Sequence, residues 1–158
     1  MDDDIIRNWG SIMQKDGVKK TNHVGAEAAS AQKNPFFTTL VIDNDASFAS
    51  FLEEFFKIEG HFILRAVTAQ EALEKGRQYQ PDLILLSNEL KGVSGLTLLP
   101  ELLLQHASAA VIVMANQPSI SEAVEAMKQG AVDYLERPLD LKKLKQAIDL
   151  QKALFKTE

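Results

Sequence analysis

From residue 36 onward the chain alternates short, almost wholly apolar runs with longer segments whose apolar residues recur every three or four positions. Short runs bounded by turn formers predict strands, and the recurring segments predict amphipathic helices. Thr38-Thr39-Leu40-Val41-Ile42 is the first predicted strand, closing on the polar Asp43-Asn44-Asp45. A helix over Ser47 to Glu59 follows, stopped by Gly60, with Phe48, Phe51, Leu52, Phe55 and Phe56 on one broad face expected to be core. His61 to Val67 is the second strand, and Thr68-Ala69-Gln70-Glu71 is a capping box opening a helix to about Tyr79.

The stretch Pro81 to Leu96, PDLILLSNELKGVSGL, holds the third strand. After the turn-prone Pro81-Asp82 comes the unbroken apolar run Leu83-Ile84-Leu85-Leu86, and then the chain turns polar at Ser87-Asn88-Glu89. Gly92 and Gly95 supply a loop before a helix from Gly95 to about His106, with Pro100 inside it or in its true first turn. Ala110 to Met114 is a fourth strand, Ser119-Ile120-Ser121-Glu122 a second capping box whose helix runs to Gly130, and Val132 to Leu135 a short fifth strand. Pro138 breaks the chain, and Asp140 caps a last helix in which Leu141, Leu144, Ile148 and Phe155 share a face.

Strands this continuously apolar are buried on both faces, as in a parallel sheet whose crossover helices cover it. The economical solution at this length is an α/β, flavodoxin-like (βα)5 doubly wound sandwich with a five-stranded parallel sheet in the order 2-1-3-4-5. In that order the ends of strands one and three are neighbours, so Asp43, Asn44 and Ser87 converge, with Ala115 and Arg137 arriving from strands four and five.

Residues 1–35 stand apart, as an N-terminal extension and linker to a domain over 36–158. Asp2–Asp4 can cap a helix, and Ile5, Ile6, Trp9, Ile12 and Met13 recur at helical spacing, which suggests a short amphipathic helix over 3–14. Gly10 weakens that reading by about 1 kcal/mol relative to alanine, and a frayed leader fits the pattern as well. Lys15 to Pro35 has few large apolar residues and reads as linker.

A net charge of −5 argues against a nucleic-acid surface on this chain, which would carry a basic patch. The absence of cysteine excludes disulfides and thiolate metal sites. An acidic amino terminus is unlike a secretory signal, and no apolar run approaches the roughly 18 residues of a membrane span. A cytoplasmic protein without membrane contact is expected. His23, His61 and His106 share no ligand-like spacing and are expected at the surface or half-buried. No Gly-x-Ser-x-Gly elbow surrounds Ser87, and Gly92 and Gly95 are not followed by the Gly-Lys-Ser/Thr of a phosphate loop. Asp43 and Asp45 read equally well as loop and helix-capping carboxylates.

From about Thr38 to Leu150 the chain resembles a receiver (CheY-like) domain of a two-component response regulator, especially those fused to transcriptional activators. Leu40 to Asp45 resembles the acidic first loop, PDLILLSNELKGVSGL the phosphoacceptor strand and loop, Ser119 to Leu135 the fourth helix and fifth strand, and Arg137-Pro138-Leu139-Asp140 the Lys-Pro motif. The resemblance implies that an aspartate takes phosphate where Ser87 stands, and that a first-loop acidic pair helps bind Mg²⁺ where Asp43 and Asn44 stand. It likewise implies a hydroxyl residue at Ala115, a phosphate-contacting lysine at Arg137 and a proline at Lys91; of the switch residues only the aromatic, Tyr134, is kept.

These departures imply a degenerate receiver. Phosphoryl transfer needs a metal and an in-line nucleophile, Mg²⁺ needs carboxylates, and a neutral serine is a weak nucleophile without a base. Asp43 is the one nearby base, and Arg137 is placed to engage it as an ion pair. The chain is expected to be no enzyme, to hold no cofactor, with Mg²⁺ binding weak or absent, and to signal through protein contacts: a sensor kinase, an output domain, a regulator or a second copy. The resemblance places that contact on Ala123, Met127, Tyr134, Lys142 and Lys145, and the last helix is expected either to make a coiled dimer contact or to lead to an output domain. Loss of close like charges, each pair costing up to ~4 kcal/mol at an effective dielectric near 20, favours one fixed conformation. Two other readings stay open: a receiver switched by phosphorylation of Ser87 or by another ligand, and a small-ligand binder or enzyme on the same sheet.

Overall fold

A computed structural model describes residues 37–57 and 61–156. The expectations for residues 1–35, including the 3–14 helix, lie outside the described residues, as do His23 and the side chain of Phe155. Five parallel strands, β1 (Thr38–Ile42), β2 (Phe62–Ala66), β3 (Leu83–Ser87), β4 (Ala110–Ala115) and β5 (Asp133–Glu136), form one sheet in the order β2-β1-β3-β4-β5. The order is the expected one. Between and after them run α1 (Ala46–Lys57), α2 (Ala69–Tyr79), α3 (Leu99–Gln105), α4 (Ile120–Gln129) and α5 (Leu141–Lys156).

The central strands β1, β3 and β4 are buried along their whole length, which is why they read as unbroken apolar runs instead of alternating ones. Successive side chains still point to opposite faces. Val41, Leu83, Leu85, Ile112 and Met114 pack with Leu52 and Phe56 of α1 and with Leu144 and Ile148 of α5. Register puts Ile42 beside Leu86 and Ser87 beside Met114, so the carboxyl ends of β1, β3 and β4 finish level. Asp82 ties the opposite end, its carboxylate accepting from the Thr38 N–H at 2.8 Å.

The Phe-rich face of α1 is broader than the core can take. Phe56 is fully buried and Phe48 and Phe55 pack at the margin, but Phe51 is 50% exposed. At 100° per residue Phe51 lies about 120° around the helix from the midpoint between Leu52 and Phe56, beyond the apolar stripe. His61 also departs from expectation, for it is buried, not half-exposed. Its ring stacks on Phe56 at 5.0 Å between centroids, lies 5.5 Å from Phe37, and its Nε2 sits 3.0 Å from Lys152 Nζ.

Gly95–Thr97 forms a single 3-10 turn before α3, and Pro100 falls in the first turn of α3, where a missing N–H is harmless. His106 closes α3 over Gly76 of α2 with its Nε2 buried and unpartnered among the described residues. Burial, and secondarily the Arg77 cation, lowers the His106 imidazole below its ordinary value. A histidine kept neutral by folding contributes stability above its unfolded value of about 6.5, and that contribution is lost as pH falls below it. Urea midpoints are therefore expected to drop from about pH 7.5 to about 5.5, with a shallower drop in His106→Gln. Parallel profiles in the two proteins would contradict this.

Candidate functional site

The carboxyl ends of the strands converge as the topology requires. Asp43 follows β1 and is only 1% exposed; its N–H donates to the Ala66 carbonyl at 3.0 Å and its Oδ1 accepts from the Asp45 N–H at 3.3 Å. Arg137 follows β5, anchored by its N–H on the Ala115 carbonyl at 2.8 Å, and its Nη2 forms an ion pair with Asp43 Oδ2. The same guanidinium lies over the Phe48 ring, 4.7 Å from its centroid, with Nη2 3.9 Å from Met114 Sδ. Asn44 is exposed on the loop, and Asp45 caps α1 by accepting from the Phe48 N–H at 3.2 Å.

Ser87, 5% exposed, is turned onto its own loop. Its Oγ donates to the Glu89 carbonyl at 2.8 Å and accepts from the Glu89 N–H at 3.2 Å. That loop is a tight hairpin absent from the sequence reading, with Glu89–Leu90 pairing Val93–Ser94. Lys91 and Gly92 both have positive φ, 48° and 83°, as a two-residue type I′ turn demands. Proline, with φ locked near −65°, could not stand at Lys91 in this turn.

Tyr134 is half-buried on β5. Its hydroxyl donates to Glu122 Oε1 at 2.5 Å and accepts from the Ser119 N–H at 3.2 Å, while Asn88 Nδ2 donates to the same Glu122 oxygen at 2.9 Å. Burial first, then the hydrogen bond to Glu122, pushes the Tyr134 phenol above its ordinary value, against the opposing Ser119 N–H. Asn88 and Glu122 were not singled out as site residues from sequence. Glu122 reads there only as the third helical residue of a capping box, and nothing in its spacing signals a tyrosine twelve residues on.

Residues 39–149 match the response regulator receiver domain family. The chain belongs to that family. The transcriptional regulatory protein ZraR of Klebsiella oxytoca is 36% identical over 118 residues, which are 75% of this chain and 26% of that protein. The transcriptional regulatory protein FixJ of Azorhizobium caulinodans is 37% identical over 100 residues, 63% of this chain and 47% of that protein. Among solved structures, a two-component response regulator from Clostridium difficile superimposes with a TM-score of 0.69 at 25% identity, covering 77% of this chain and 97% of that one. The chain thus spans about a quarter to a half of these two regulators, whose remaining length lies outside the match.

A divalent cation is what the family would place at this receiver's sheet end, and the donors here do not fit one. A hard cation wants several carboxylate oxygens. Among the described residues Asp43 is the one buried carboxylate at the carboxyl ends of the strands, and a guanidinium already occupies it. Both hydrogen-bonding roles of the Ser87 hydroxyl are filled by Glu89. Among the described residues no three histidine or acidic side chains stand close enough to share a metal ion.

Of the expected contact residues, Met127 and Lys142 are exposed, Ala123 and Lys145 half-buried, and Lys145 lies 3.6 Å from Asp149. The receiver also exposes Ile120 and Val124, which with Met127 form an i, i+4, i+7 apolar stripe along α4. Among the described residues no helix is long and apolar enough to cross a membrane.

Proposed function

We propose that this receiver signals by protein contact without aspartyl phosphorylation. The observation that carries the reading is the Asp43–Arg137 ion pair beside a Ser87 hydroxyl spent on Glu89. A cation from the protein stands where metal and phosphoryl charge would otherwise be balanced, and no carboxylate is placed to attack phosphorus. The working unit is residues 36–158, with 1–35 as an extension, acting in the cytoplasm on protein partners: a sensor kinase, an output domain, a regulator or a second copy. Ala123, Met127, Tyr134, Lys142 and Lys145 form the contact face. Neither nucleic acid nor membrane is touched by this chain, and it is not an enzyme. Ser87 as a kinase target is the weaker alternative, because its hydroxyl is buried and doubly hydrogen-bonded, so the Glu89 loop would have to open first.

Backbone-amide NMR with Mg²⁺ and then beryllofluoride, a phosphoryl mimic, tests the proposal. The amides of Asn44, Ser87 and Ala115 are expected to stay in place at millimolar ligand. Concerted shifts that spread to Tyr134 would overturn it.

A further inference from the structure

Glu122 joins three parts of the fold through one oxygen. In a capping box the glutamate takes the N–H of the cap residue directly. Here the Tyr134 hydroxyl stands between them, accepting from Ser119 N–H and donating to Glu122 Oε1, while the other half of the box, Glu122 N–H to Ser119 Oγ at 3.1 Å, is intact. Asn88 donates to the same oxygen from the loop that follows β3. The first turn of α4, strand β5 and the residue next to Ser87 are therefore connected by a single carboxylate. A hydroxyl-to-carboxylate bond of 2.5 Å falls in the charge-assisted class, roughly twice as strong as a neutral pair. None of these bonds passes through the Ser87 hydroxyl, which is engaged with Glu89.

We propose that Glu122, seconded by Asn88, is the positioning group that fixes Tyr134, so that the α4–β5 face is held in one arrangement by this carboxylate and by nothing attached at residue 87. This builds on the reading above in taking that face as the contact surface, and it names what regulates it. The exposed stripe Ile120, Val124 and Met127 starts at the turn Glu122 anchors, so its presentation depends on the same bonds.

The chain has two tyrosines, so ¹³C labelling of the tyrosine rings gives one signal set for Tyr134 and an internal reference in Tyr79. In Glu122→Ala the Tyr134 ring signals and the Asn88 side-chain amide are expected to shift together while Tyr79 stays. Glu122→Gln, which keeps an acceptor oxygen but loses the charge, should shift them part of the way, and Asn88→Ala should move Tyr134 less than Glu122→Ala does. Ser87→Ala should leave Tyr134 in place. A Tyr134 indifferent to Glu122→Ala, or one moved as far by Ser87→Ala, would overturn the inference. Beryllofluoride shifts in the wild-type pocket would instead defeat the phosphate-independent reading, and the Glu122 comparison would still decide this one.

Discussion

Arg137→Ala is expected to destabilise the domain by about 3–5 kcal/mol, the range for stripping one partner from a buried ion pair. The reason is what stays behind. Asp43 is 1% exposed, so without Arg137 it is a buried carboxylate left with the Asp45 N–H and no cation. The guanidinium's contact with the Phe48 ring goes as well. Against a total stability of about 5–15 kcal/mol this is a large loss. Replacing both partners, as Asp43→Asn with Arg137→Met, should recover much of it, because no buried charge then lacks a partner. Urea unfolding measures all three proteins. A loss below about 1 kcal/mol in Arg137→Ala would mean that the pair behaves like a solvated surface pair, and the pocket would not be closed by it.

Gly95→Ala is the second large effect. A Cβ there would lie 1.9 Å from the Ser87 carbonyl oxygen, 3.0 Å from its carbon and 3.4 Å from the Asn88 carbon. All three are backbone atoms that cannot swing aside. The Gly95 N–H donates to the Asn88 carbonyl at 2.8 Å, which pins the two segments together. The expected loss is on the order of 3 kcal/mol, the upper range for overpacking, with displaced Ser87 and Asn88 amides in the NMR spectrum. Gly92→Ala in the same loop is the contrast: a Cβ there meets nothing within 4 Å, and only its φ of 83° is unfavourable, at about 1–2 kcal/mol. If the two substitutions cost the same, backbone approach is not what requires glycine at 95.

The strand order, and with it the arrival of Asp43 and Arg137 at the same end of the sheet, was legible because central parallel strands must be apolar on both faces, and turns must interrupt them. Helix starts were legible for a similarly local reason: Thr68 and Ser119 each accept from the N–H three residues on. Side-chain fates that depend on distant neighbours were not. Phe51 has the composition of a core residue and the wrong angle for it, and His61 is polar but falls between two phenylalanine rings. The hairpin of residues 89–94 has only two residues per strand, too short for any alternation to register. The Tyr134–Glu122–Asn88 bonds join positions 34 and 12 residues apart, and only the folded chain brings them together.

The Lys91–Gly92 turn makes sequence change at this loop directional. With φ of 48° at Lys91, proline cannot be introduced there while the hairpin stands. A side chain at residue 87 without a hydroxyl would likewise lose both hydrogen bonds to the Glu89 backbone that hold the start of this loop. Tolerated change in this loop is therefore confined to residues that accept a left-handed backbone at 91 and 92, and a substitution that fixes φ near −65° there would have to undo the hairpin first.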